Sequence, residues 1–166
     1  MKTLLLLRHA KSSWDDARLR DFERPLAQRG IRDAPRIGKA LAKLGPTPDL
    51  IISSPAARAS QTIAAVVQAA GLDAALTWDE AIYGAVPAEL IRIVRRIPNS
   101  SSCAMLVGHN PGFEDLLSRL TGVPEHMPTA ALACVQFQVD AWADVEDGQG
   151  TLAWFITPKH LDDQEH

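Results

Sequence analysis

Thr3-Leu4-Leu5-Leu6-Leu7-Arg8-His9 decides how this chain of 166 residues folds. A short, unbroken apolar run closed by charge is the pattern of a strand covered on both faces, as in a parallel sheet between helices. A secretory leader would need roughly 7–15 apolar residues before its cleavage site. This run is four leucines ending in Arg8-His9, so it reads as a strand.

Outward from that strand the same pattern recurs. Ala10–Pro25 is polar and reads as a long loop, and Leu26–Leu44 carries apolar residues at helical spacing (Ile31, Ala34, Ile37, Leu41, Leu44) up to Gly45-Pro46. Pro35 lies inside that pattern and either kinks the helix or marks its start. Asp49–Ser53 is a second buried strand. Ser54-Pro55 then suggests an N-cap with proline at the first helical position, and that helix runs through Ile63, Val66 and Val67 to Gly71. Ala75–Trp78 suits a short strand and Pro87–Ile97 an amphipathic helix. Cys103–Val107 is a third apolar strand, followed by a helix from Asn110-Pro111 through Leu120. Ala133–Val139 and Thr151–Ile156 complete the strands, and 160–166 reads as a frayed polar tail.

Strands alternating with helices predict an α/β fold: a three-layer α/β/α sandwich with a mostly parallel central sheet and one antiparallel edge strand, formed by residues 1–166 as a single domain. Composition fits, with 46% hydrophobic and 22% charged residues. The net charge of −3 provides no global field for nucleic acid or anionic membrane, so any phosphate chemistry needs local positive charge. No stretch approaches the ~20 apolar residues of a membrane helix. Cys103 and Cys134 lack metal-type spacing and read as buried free thiols of a cytoplasmic protein.

Three strands end in polar residues of one kind. The first ends in Arg8-His9, the second in Ser53-Ser54-Pro55 with Arg58 a turn later, and the third in Gly108-His109-Asn110-Pro111. Ligands of open α/β sheets gather outside the carboxyl ends of the strands, so this topology brings two histidines and two arginines to one rim. Two guanidiniums suit the oxygens of a phosphoryl group, and helix N-termini add donors. An imidazole beside such cations has a lowered pKa and keeps a lone pair free to attack phosphorus. Each piece alone has an ordinary alternative: a solvated strand end, a common helix start, a turn. Their coincidence at strand ends is what points to a site.

These residues carry a resemblance. Arg8-His9-Ala10-Lys11-Ser12-Ser13-Trp14 resembles the Arg-His-Gly motif of the histidine phosphatase (phosphoglycerate mutase-like) superfamily, with Ala10 in place of the glycine. Pro25-Leu26 with Gly30 resembles its L-T-x-x-G helix entry, Ser54–Thr62 its S-P-x-x-R-A-x-Q-T segment, and Val107-Gly108-His109-Asn110 its second-histidine motif. Within the superfamily the chain is most similar to SixA-type phosphohistidine phosphatases.

The resemblance implies a phosphoric-group hydrolase in which His9 is the phosphorylated nucleophile, Arg8, Arg58 and His109 form the phosphate pocket, and neither metal nor other cofactor takes part. Asp79–Gly84 is similar to the N-E-R-H-Y-G stretch of the mutase branch; Glu80 holds the place of the general acid there, with a surface role as the alternative. Ser12 sits where a motif serine touches phosphate, with a loop-forming role as the alternative. Trp14 lies where it would line the entrance. His126, His160 and His166 read as solvated. The short segments between motifs favour an open pocket for phosphohistidine on a protein of the histidine-phosphotransfer type. A small phosphate ester (sugar or nucleotide) and a non-catalytic phosphate-binding role are the alternatives, and no nucleic-acid or membrane partner is expected.

Overall fold

The computed structural model describes residues 1–164 of the chain. In chain order it contains β1 (Lys2–Arg8), α1 (Gln28–Leu44), β2 (Leu50–Ser53), α2 (Ala57–Ala70), β3 (Ala75–Trp78), α3 (Pro87–Arg95), β4 (Cys103–Gly108), α4 (Gly112–Thr121), β5 (Leu132–Phe137), β6 (Thr151–Ile156) and α5 (Pro158–Gln164). The strands form one six-stranded sheet in the order β3-β2-β4-β1-β5-β6. The first four are mutually parallel, whereas β5 runs antiparallel to both β1 and β6. The antiparallel pairing expected of the C-terminal part is therefore made by β5, with β6 completing that side.

The leucine run works on both faces of the sheet because successive side chains of a strand alternate. Leu4 and Leu6 enter one core with Leu90, Val94, Phe113 and Leu116 from α3 and α4. Leu5 and Leu7 enter the other with Ile37 and Leu41 of α1 and Ile63 and Val66 of α2. All four leucines are fully buried. At about 25 cal/mol per Å² of apolar surface the four leucines of this central strand contribute several kcal/mol, which explains why Leu4–Leu7 carry no polar side chain. Cys103 and Cys134 are buried free thiols beside it; burial pushes their pKa values up to about 12 and about 11.

Several local expectations are revised. Helix α1 starts at Gln28 and continues through Pro35; Ile31 and Leu44 stay exposed because its buried face is Gly30, Ala34, Ile37, Gly38 and Leu41. Ser54 is not an N-cap: α2 begins only at Ala57, and the Ser54 hydroxyl has other partners. Most of the tail is ordered as α5, where Leu161 packs on the α1 side and Asp162 takes a 2.6 Å bond from Arg36. His166 lies outside the described residues. Among the described residues, no helix is long and apolar enough to cross a membrane.

Candidate active site

Strand register assembles the rim. Arg8 pairs with Gly108 and Ser53 with Val107, so His9 and His109 emerge level and Ser54 one residue behind them. Main-chain bonds continue past the strands: His9 N–H donates to Gly108 O (3.0 Å) and Ser54 N–H to Val107 O (2.9 Å). The two imidazole rings then lie 5.2 Å apart, centroid to centroid. Glycine is needed at 108, since a Cβ there would meet the Phe113 ring at 2.5 Å.

His9 is buried, and its Nδ1 lies 2.8 Å from the Ala10 carbonyl. A carbonyl only accepts, so Nδ1 carries the proton and Nε2 keeps its lone pair. Burial, then the charges of Arg58, Arg8 and Arg24, lower the His9 pKa to about 4, although the Ala10 bond works the other way. Burial, the His9 ring and Arg58 bring His109 down to about 3. Both rings are neutral at physiological pH. In an NMR titration their imidazole proton shifts are expected to stay flat from about pH 8 to about pH 5, where an ordinary histidine would titrate near 6.5. A midpoint close to 6.5 for either ring would contradict this account.

Ala10, in the place of the motif glycine, is fully buried, and its N–H donates to Thr62 Oγ1 (3.0 Å). That hydroxyl donates in turn to Arg58 O (2.6 Å), tying the first turn of α2 to the segment that carries His9. Gly30 lets α1 approach the same segment: a Cβ there would stand 2.2 Å from Lys11 O. Gln61 Oε1 accepts from Leu26 N–H (2.9 Å), which ties α2 to the end of the long loop.

Arg8, His9, Ser12, Trp14 and Arg58 line one open depression of about 240 Å³, together with Lys11, Arg24, Asn110 and Thr129. His109 opens into an adjoining depression that also includes Asn110. Arg8 Nη1 donates to Met127 O (3.0 Å), while Arg8 Nε and His109 Nδ1 are buried without a hydrogen-bond partner. Ser12 Oγ accepts from Arg24 Nη2 (2.5 Å), so this hydroxyl holds an arginine in the pocket. Trp14 stands at the mouth with the Arg24 guanidinium 3.2 Å above its ring centroid.

Glu80 is not brought to this group. It is exposed at the start of a 3-10 turn (Glu80–Ile82) anchored by the buried Ile82, and it lines neither depression. The carboxylate at the rim is Asp21, a residue missed in the sequence because it lies in the polar loop. Its Oδ1 accepts from Arg24 Nη1 (2.8 Å), and its Oδ2 accepts from Arg58 Nη2 (3.0 Å) and the Tyr83 hydroxyl (2.5 Å). Arg58 Nη1 also reaches Asp21 O (2.7 Å). Hydrogen bonds from Tyr83, Arg24 and Arg58 hold the Asp21 carboxyl well below the usual range. Glu114 is kept ionised too, chiefly by the Met127 N–H and then by His126, 2.8 Å away. Arg24 and Tyr83 were also missed; the Arg24-Pro25-Leu26 junction with the helix entry was the available signal for the arginine.

His126 and His160 are exposed, as expected. Among the described residues, no group of three or more His, Cys, Asp or Glu side chains is placed to hold a metal ion.

The rim thus combines a neutral imidazole with a free nitrogen, a second imidazole and three guanidiniums. That arrangement suits transfer of a phosphoryl group. Residues 4–87 match the family model of the histidine phosphatase superfamily, branch 1. A curated relative, the uncharacterized protein MT1313 of Mycobacterium tuberculosis, is 35% identical over 164 residues, covering 92% of this chain and 100% of that protein. Among solved structures, the chain is similar to one from Agrobacterium tumefaciens, provisionally assigned as phosphohistidine phosphatase SixA, at 30% identity and a TM-score of 0.82, covering 95% of this chain and 98% of the other. A structure from Nakamurella multipartitia with the same provisional assignment gives 28% identity and a TM-score of 0.82, covering 95% of this chain and 96% of the other.

The chain belongs to the histidine phosphatase superfamily. It is a phosphatase with the phosphoglycerate mutase-like α/β fold.

Proposed function

We propose that the protein removes phosphoryl groups from phosphohistidine on another protein, through a phosphohistidine intermediate on His9 and without a metal. The observation that carries the reading is the His9 ring: neutral, fixed through Nδ1–H to Ala10 O, with Nε2 free beside Arg8, Arg58 and His109.

In the first step the Nε2 lone pair forms a bond to phosphorus, and the bond from phosphorus to the substrate nitrogen breaks with its electrons going to that nitrogen. The arginines hold the equatorial oxygens. With Ser54 O–H donating to His109 Nε2 (2.7 Å), His109 Nδ1 carries a proton, and a phosphoryl oxygen would give it and Arg8 Nε acceptors. In the second step water attacks the phosphohistidine, releasing inorganic phosphate and restoring the His9 lone pair.

The leaving group decides the substrate class. An ester alkoxide needs a proton as it departs, and both carboxylates near the pocket are held ionised. An imidazole protonated on its other nitrogen leaves as a neutral base and needs no such acid. The openness of the pocket and the name borne by the two similar structures support the same substrate.

Rates on phosphoimidazole and a histidine-phosphorylated peptide should exceed those on a panel of sugar phosphates and nucleoside monophosphates. A large preference for one ester would overturn the substrate, and failure to trap a phosphoenzyme with phosphopeptide binding retained would favour a binding module. Glu80→Gln is expected to keep kcat within about twofold on a phosphate ester as well as on phosphoimidazole, since loss of a working general acid would cost about 10²–10⁴-fold on the ester.

A further inference from the structure

We propose that the depression beside the phosphoryl pocket, lined in part by Arg29, Arg32 and Lys159, is a docking surface for carboxylate side chains of the phosphorylated protein. This rests on the reading of the substrate as a protein. Thr129 lines both depressions, so they adjoin. Their backbones are also joined, because Ala27 N–H donates to Lys11 O (2.9 Å) just before α1 begins.

The charge there is far from the average. The chain has 20 acidic residues against 17 Lys and Arg. Arg8, Lys11, Arg24 and Arg58 nevertheless line the first depression, and Arg29, Arg32 and Lys159 the second. The acidic residues lining the two are Asp33 and Asp162, with Asp21 at the rim. All three are engaged. Asp33 is buried and accepts from Arg32 Nε (3.0 Å) and Arg36 Nη1 (3.2 Å); Asp162 accepts from Arg36 Nη2 (2.6 Å). Asp21 is held by Arg24 and Arg58.

Among the described residues, the exposed Arg29 and Lys159 have no ion-pair partner. One monoester dianion would be met by the cations of the first depression. The unpaired Arg29 and Lys159 of the second depression lie outside it and are matched by carboxylates on the surface that carries the phosphohistidine. Attraction of this kind raises association rates and fades with salt.

The test uses two histidine-phosphorylated peptides that differ only in glutamates or glutamines flanking the histidine, with phosphoimidazole as the small substrate. The full chain should favour the glutamate peptide by about tenfold in kcat/KM at low ionic strength, and the preference should shrink in about 0.5 M salt. The double variant Arg29→Glu, Lys159→Glu should lose or invert the preference and keep phosphoimidazole turnover within about twofold, which also shows that the variant is folded. Equal rates on the two peptides, or an equal loss on peptide and phosphoimidazole, overturn the docking surface. A loss on a sugar bisphosphate without a loss on the glutamate peptide overturns it as well. Absence of phosphoimidazole turnover by the parent protein sinks the phosphohistidine reading itself.

Discussion

His9→Ala is expected to lower turnover by about 10⁴-fold or more and to abolish covalent labelling by a phosphorylated substrate. Loss of a nucleophile removes the two-step route altogether, and no neighbour replaces it: the His109 ring is tied through Nε2 to Ser54. The fold should survive, because His9 joins its neighbours through main-chain bonds that alanine keeps, from its N–H to Gly108 O and to its O from Ala130 N–H. Rapid-quench labelling with phosphoimidazole, alongside steady-state rates and a melting curve, checks both statements. A folded His9→Ala protein that still took label at the parental rate would require another nucleophile.

Arg58→Ala should cost about 3–4 kcal/mol of transition-state stabilisation, some 10²–10³-fold in kcat/KM, as for other preorganised donors. Two effects act in one direction. A fixed guanidinium disappears from the pocket, and Asp21 loses its bonds from Arg58 Nη1 and Nη2. The rim carboxylate then faces the incoming dianion with less of its charge neutralised. Arg58→Lys restores charge without the planar fork and should recover only part of the loss. Kinetics of the two variants on phosphoimidazole measure this; an Arg58→Ala protein within a few fold of parental activity would exclude Arg58 from the transition state.

Much of the arrangement was legible in the sequence because it depends on strand ends. The leucine run fixes β1 in the sheet centre, and parallel pairing sets Arg8 opposite Gly108 and Ser53 opposite Val107, so the three strands end within one residue of each other. The polar loop was less legible. Asp21 and Arg24 look like any solvated residues of a charged stretch, and their partners Arg58, Tyr83 and Ser12 come together through the tertiary fold. For Glu80 the sequence left an acid and a surface role open: Asp79 Oδ1 accepts from Ala81 N–H and caps the 3-10 turn, which delivers Tyr83 to the rim and leaves Glu80 exposed. Ser54 misled because a hydroxyl before proline suits a cap, yet the nearby imidazole claims it. In the tail, the polar composition hid the ion pair and the apolar contact that order α5.

The level strand ends make the two sides of the pocket mechanically unequal. Parting His9 from His109 means breaking the bond from His9 N–H to Gly108 O at the heart of the sheet. The opposite side, with Ser12, Asp21 and Arg24, hangs from a long connection held mainly by polar bonds whose strength changes with salt and with the charge of whatever enters. One wall keeps the geometry that breaking a bond to phosphorus requires, and the other can yield to partners of different shape. The same strand-end residues can therefore be presented to partners of different shape by changing exposed loop residues such as Asp15, Ala17, Arg18 and Arg20, with the leucine strand left untouched.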